Sequence, residues 1–496
     1  MIPNDAYAAL EARFKRMNLV RDAIAVLEWD SAAMMPDGGS EARAEQVATL
    51  KVIAHGQACD PALAELFERA APADSWARAN LREMRRDWLH ATAIPADLVE
   101  ARSKAVSECE MRWRAARKAN DFNGLLPSLR RVLDLTKEVA AIKAEKLGRS
   151  KYDALLDEYE PGGSAAEIDA IFDDLAAFLP DFTNAVLERQ AKLPASLPLE
   201  GPFPAAAQKE LAHDLMGSVG FDFAHGRLDT SHHPFCGGVP DDVRLTTRWN
   251  EADFAKGLMG VLHETGHAMY ERGLPKAWRN QPVGFARGMS AHESQSLLIE
   301  MQACRSDAFL KFLAPKAAAA FGKTGPAWTA ENFARVYRRV SRGLIRVDAD
   351  EVTYPAHVIL RYRLERALIE DRMDLADLPG AWNEGMKALI GVVPPDDRDG
   401  CLQDIHWPGG AWGYFPTYTL GAMTAAQLYA AAKKADPAIE PGISKGDFAP
   451  LMAWLRTNWH ELGSSLTVSE MLVRATGKKL DAAVFKAHLK ARYLDG

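Results

Sequence analysis

Two histidines four residues apart, His263 and His267, bracket a glutamate in the run HETGH. On a helix such residues share a face and lie about 6 Å apart along the axis, so both imidazoles can point at one ion. Zinc takes imidazole nitrogen at about 2.0–2.1 Å, and a catalytic zinc site has three protein ligands and one position left for water. Glu264 stands about 100° round the same helix, where it can act on that water as general base without binding the metal. The pentapeptide is short, so the surrounding residues must supply the third ligand.

Glu271 continues the four-residue stripe but lies about 12 Å along the axis from His263, too far to share its ion. The extended pattern HExxHxxGxxH does not apply, because Tyr270 occupies its glycine position and Gly273 its last histidine. From Arg272 to Ala291 there is no Asp, Glu, His or Cys, and the next ligand types are the neighbours His292 and Glu293. Adjacent helical residues point about 100° apart, so at most one of them faces the metal. Glu293 is the better choice, since two histidines and one carboxylate form an established catalytic zinc set. His292 is then a support for the site, a substrate contact or a residue of the helix start. The same donors would also accept cobalt.

Helices must position these groups. Leu258, Val261, Leu262, Met269 and Tyr270 give Gly257–Arg272 a helical period, with Gly273 and Pro275 as a stop. A second helical run is expected over Ser290–Leu313. Helical spacing recurs along most of the chain, as in Leu126–Leu147 and Ala166–Leu193. Strand character is confined to Arg227–Trp249, where β-branched residues and Gly-Gly and Val-Pro breakers predict a short sheet or a tight irregular loop. The expectation is a mainly α protein with a small β-sheet near the site. Pro/Gly punctuation at Leu193–Pro204 separates a helical half, 1–200, from the motif-bearing half, 201–496. We take 1–496 as a single domain whose halves form two walls of one groove.

The 496 residues carry 67 acids and 60 bases, a formal charge of −7, with no long block of one sign. This balance supports neither a nucleic-acid nor a membrane-surface partner. No apolar run approaches the roughly 20 residues needed to span a bilayer. The first residues lack the pattern of a secretory signal, and the five cysteines are scattered with no CxxC pair, so a cytoplasmic location is expected.

In chain order the sequence carries HPF at His233–Phe235, DVRLT at Asp242–Thr246, HETGH at His263–His267 and HESQ at His292–Gln295. IRVDAD at Ile345–Asp350 and GCLQDIHW at Gly400–Trp407 follow. This ordered set resembles the carboxypeptidase Taq family of zinc-type metallocarboxypeptidases, with weaker likeness at Leu27–Pro36 and Ser469–Gly477. The resemblance implies a mostly helical fold with a deep groove, a homodimer, and release of single amino acids from peptide C-termini with broad specificity. It also implies His263, His267 and Glu293 as metal ligands and Glu264 as catalytic base, in agreement with the spacing.

Such chemistry needs donors for a developing oxyanion besides the metal. His406 and Tyr414 are the candidates, with Tyr418 as the alternative on the same loop. A terminal carboxylate suits a planar guanidinium, which points to Arg346 with Arg244 beside it. For either arginine the alternative is a structural ion pair with Asp348, Asp350 or Asp242. His233 is divided between a substrate contact and a packed turn. Arg272, Lys276, Arg279 and Arg287 read as a solvated loop, and the aromatic cluster from Trp407 to Tyr418 as core or groove lining. An endopeptidase with the same centre and a non-catalytic metal-binding protein are the rival readings.

Overall fold

The computed structural model describes residues 4–495. Among these residues the chain is mainly α-helical and has one three-stranded sheet. The helices form where periodicity and capping agree. Phe122–Leu147 starts at Asp121, whose carboxylate accepts from the Gly124 amide, and ends at Gly148 with φ of 65°, the left-handed terminus that glycine adopts without strain. Ala165–Gln190 follows the same amphipathic logic, burying Ile168, Phe172, Leu175 and Leu179.

The sheet falls where strand character was expected, with β1 Gly226–Thr230, β2 Phe235–Val239 and β3 Asp242–Thr247. Its order is β1-β3-β2: β3 runs parallel to β1, pairing Leu228 with Leu245, and antiparallel to β2, pairing Cys236 with Leu245. The motif helix packs on β2 and β3.

Two large hydrophobic cores hold the molecule together. One joins Leu98–Val186 to residues from Val340 to Tyr493; the other gathers residues from Phe203 to Leu472. The helix Pro416–Ala435 belongs to both. Its Leu420, Met423 and Ala426 enter the first, and its Ala425, Leu428, Tyr429 and Ala432 the second. A smaller cluster around Leu10, Phe14, Leu63 and Phe67 lies near the N-terminus. No helix among the described residues is long and apolar enough to cross a membrane.

The expected helical run Ser290–Leu313 is broken. An α-helix over Met289–Leu297 passes into a π-helix over Leu298–Ala303, and a new helix begins at Asp307. Ser306 makes the restart: its hydroxyl accepts from the Phe309 amide as an N-cap. Helical periodicity alone does not register such an interruption, because apolar residues continue through it.

Candidate metal centre

The motif helix spans Phe254–Gly273, and Asp253 caps it by accepting from the amides of Ala255 and Lys256. The helix Met289–Leu297 lies against it, with Gly266 at the closest approach. A Cβ on Gly266 would stand 2.6 Å from the Ser296 Cα. On the other side the helix Pro416–Ala435 approaches through Gly421, where a Cβ would meet the Glu293 Cβ at 2.8 Å. Real Cβ atoms do not come so close to backbone or to a stem carbon. The helix that carries Glu293 is therefore gripped between two glycine contacts.

This packing brings His263, His267 and Glu293 together. The Glu293 Oε2 lies 3.8 Å from the His263 Nε2 and 3.6 Å from the His267 Nε2. Tetrahedral donors at about 2.0–2.1 Å from zinc stand about 3.4 Å apart, so the observed spacing fits a small divalent cation with little adjustment. The donor chemistry fits as well, because neighbouring groups fix the tautomers. His263 Nδ1 lies 3.0 Å from the Glu300 carboxylate, an acceptor only, so it carries the proton and leaves Nε2 a lone pair. His292 Nε2 lies 2.8 Å from the Glu271 carboxylate, and its Nδ1 lies 2.7 Å from His267 Nδ1. When His292 donates Nε2–H to Glu271 and accepts at Nδ1 from His267 Nδ1–H, His267 Nε2 likewise keeps a lone pair.

Glu264 is buried beside these donors. Burial pushes its carboxyl up to about 7; His263 and His292 oppose the rise and Glu293 and Glu300 add to it. Glu300 in turn accepts from the Arg305 guanidinium at 2.5 Å. The π-helix bearing Glu300 is held from the chain's far end: Arg492 donates to the carbonyls of Met301 and Gln302 and to Glu351. Gln302, His488 and Tyr493 also bond Glu351.

A second cluster faces Glu293. Asp404 accepts from Arg346 Nε and Nη2 at 2.9 and 2.8 Å and from Arg361 Nε at 2.6 Å. Burial alone would raise the Asp404 carboxyl, but Arg361 and Arg346 overcome it and hold it well below the usual carboxylate range. Arg346 also donates to the Tyr354 hydroxyl at 3.0 Å and lies over the Tyr418 ring. Two guanidiniums against one carboxylate leave one positive charge in this wall.

His406 Nε2 lies 3.1 Å from the Tyr418 hydroxyl, and its buried Nδ1 makes no hydrogen bond. Burial, then Arg346, lowers His406 to about 4, so the ring is neutral near pH 7. Burial raises the Tyr414 and Tyr418 phenols, and the Glu293 charge raises both further. The loop carrying His406 is anchored by Glu365, which accepts from Trp407 Nε1 and the Gly413 amide.

The remaining predicted residues lie elsewhere or are turned to other partners. His292 has both ring nitrogens on His267 and Glu271, not on a substrate space. Arg244 is bonded by Nε and Nη2 to Asp242 and lies over Trp29, 4.7 Å from the ring centroid, the ion pair that its sequence allowed. Arg346 is ion-paired too, but with Asp404, which lies outside the acids near it in sequence. His233 is exposed, and its carbonyl accepts from the Ser231 hydroxyl. Of the basic stretch, Arg272 and Arg279 pair with Asp241 and Arg287 with Glu83.

Sequence reasoning missed Glu300, Asp404 and Arg361. Glu300 left a signal, since it lies seven residues beyond Glu293 and so returns to nearly the same helical face.

A family model described as carboxypeptidase Taq (M32) metallopeptidase matches residues 9–493. The chain is 38% identical to thermostable carboxypeptidase 1 of Thermus thermophilus, with 99% of each chain covered. It is 31% identical to carboxypeptidase 1 of Bacillus subtilis, over 97% of this chain and 96% of that one. Metallocarboxypeptidase 1 of Trypanosoma cruzi superposes with a TM-score of 0.97 at 41% identity, covering 99% of both chains.

Proposed function

The chain belongs to the carboxypeptidase Taq family of metallopeptidases, and from that premise we propose a zinc-dependent carboxypeptidase that releases single amino acids with broad specificity. The observation that carries the metal reading is the convergence of His263 Nε2 and His267 Nε2 on one Glu293 oxygen, with Glu300 and the His292–Glu271 pair on the opposite ring nitrogens. His263, His267 and Glu293 would hold the ion. Zinc in that position supplies Lewis acidity, with cobalt as a possible substitute.

The chain's own residues supply the rest. Glu264, raised towards neutrality by burial, is matched to take a proton from the attacking water and return it to the leaving amine. Tyr418, bonded to neutral His406, and Tyr414 are the donors available to a developing oxyanion beside Glu293. Of the two we favour Tyr418, because His406 fixes its hydroxyl. The net positive wall of Arg346, Arg361 and Asp404 draws the substrate's terminal carboxylate to one end of the site. Arg244, His233 and His292 are left with supporting roles, and a homodimer in the cytoplasm is the expected state.

The test is product analysis on peptides with free and amidated C-termini, with and without a chelator. We expect ladders shortened one residue at a time, blocked by amidation and abolished by chelation. Internal fragments would overturn the exopeptidase reading, and chelator-resistant cleavage the metal reading.

A further inference from the structure

Beside the helix that carries Glu293 lies a cavity of about 340 Å³, separate from the metal centre. Along Pro416–Ala435, Gly421 abuts Glu293, whereas Leu420 and Thr424, some 60–100° round the same helix, line this cavity. Its volume is near the lower end for small-molecule sites. Ile168, Ile171 and Leu472 give it an apolar wall, and its polar lining includes Glu160, Glu167, Ser290, Thr424, Thr467 and Lys479.

Two of these polar groups lack the partners that burial demands. Glu160 is 6% exposed and has no ion pair among the described residues; its hydrogen bonds go only to Ser290. Burial pushes its carboxyl up to about 7, against weaker pulls from Ser290 and Arg287. The Thr424 hydroxyl is buried and makes no hydrogen bond. A buried carboxylate without a counter-ion is costly, and a ligand's ammonium group would relieve it. Lys479, exposed and in no ion pair among the described residues, supplies the opposite charge.

We propose that this cavity binds a free α-amino acid with an apolar side chain. The ammonium sits on Glu160 and Thr424, the side chain lies against Ile168, Ile171 and Leu472, and the carboxylate reaches Lys479. This is the class of molecule that a carboxypeptidase releases, so the ligand's source, though not its fit, rests on the functional reading above. Glu160 also accepts from the Ser290 amide in the first turn of Met289–Leu297, so an occupant touches the turn that precedes Glu293.

The test is calorimetric titration of the full-length, metal-loaded enzyme with L-leucine, isopentylamine and 4-methylpentanoate. Leucine is expected to show a class of sites beyond the competitive one measured by product inhibition. Ile171→Trp, which fills the cavity, should remove that class, and Glu160→Gln should weaken it at least tenfold, both with the inhibition constant unchanged. Isopentylamine should retain cavity binding and 4-methylpentanoate should lose it. A single class in the wild type, an unchanged titration in Ile171→Trp, or equal binding of 4-methylpentanoate would overturn the assignment. A crystal soaked in L-leucine asks the same question without a variant: density between Glu160 and Leu472 is expected, and an empty cavity refutes it. The titrations and the crystal soak do not involve peptide cleavage, so failure of the functional reading would remove only the inhibition constant and leave the test of the cavity interpretable.

Discussion

The proposed metal donors come from two neighbouring α-helices of the chain, Phe254–Gly273 and Met289–Leu297. The wall beside them is assembled from Arg346, Arg361, Asp404, His406 and Tyr418, which come from a 3-10 turn, the helix Tyr354–Ile369, a loop and the helix Pro416–Ala435. Helix periodicity and two close glycine contacts fix the first region, so its geometry is a property of backbone packing. Opposite charges and buried hydrogen bonds fix the second, so its geometry depends on ionisation. The two regions should therefore fail in different ways when disturbed.

The largest effect is expected inside the first region. Glu264→Gln should lower kcat by about 10²–10⁴-fold while elemental analysis finds the metal still bound. Retention of most activity would remove Glu264 from the reaction.

Next comes the charge of the second region. Asp404→Asn leaves two buried guanidiniums without their carboxylate, and a loss of about 3–5 kcal/mol in denaturant unfolding is expected. A change below 1 kcal/mol would show that the wall is not held by this charge. The pH dependence follows the same logic. Asp404 is depressed in the folded state, so its contribution is fully present above the unfolded carboxyl value near 4 and is lost as pH falls below it. Burial, then Arg361, lowers His357 to about 3, so its neutral form stabilises the fold above the unfolded value of about 6.5, and this contribution shrinks as pH falls below that. Between about pH 4 and 6.5 the loss from His357 is opposed by Glu264 and Glu160, whose raised carboxyls take up protons in the folded state, so thermal scans should show the steep decline in Tm below about pH 4.

Glu300→Gln weakens the acceptor that fixes the His263 tautomer, and metal affinity should drop by about 10–100-fold in chelator competition. An unchanged affinity would mean that the motif helix alone orients the ring.

The smallest effect separates packing glycines from idle ones. Gly260 has nothing within 4 Å of an added Cβ, and Gly260→Ala should stabilise by about 0.5–1 kcal/mol. Gly421→Ala, pressed against Glu293, should instead destabilise the fold and loosen the metal. Equal behaviour of the two variants would refute the gripped-helix picture.

Legibility in the sequence follows the same division. The helical fold, the small sheet at Arg227–Trp249 and the spacing of His263, His267 and Glu293 were readable because each depends on residues close in sequence. The partner of Arg346 was not, since Asp404 is 58 residues away and only the fold brings them together. The break at Leu298–Ala303 escaped for a different reason, as its apolar period continues through the π-turn. His292 and Glu271 were read as separate residues. Their pairing became visible only once the two helices were set side by side.

The grip of His488, Arg492 and Tyr493 on Glu351 and the π-helix has a consequence for synthesis. A ribosome making this chain completes His263 and Glu300 long before residue 493, with a delay of roughly 10–40 s at synthesis rates of about 5–20 residues per second. Throughout that interval the carboxylate that orients His263 lacks its outer support. The orientation of His263 thus depends on contacts that form long after its own helix has been synthesised.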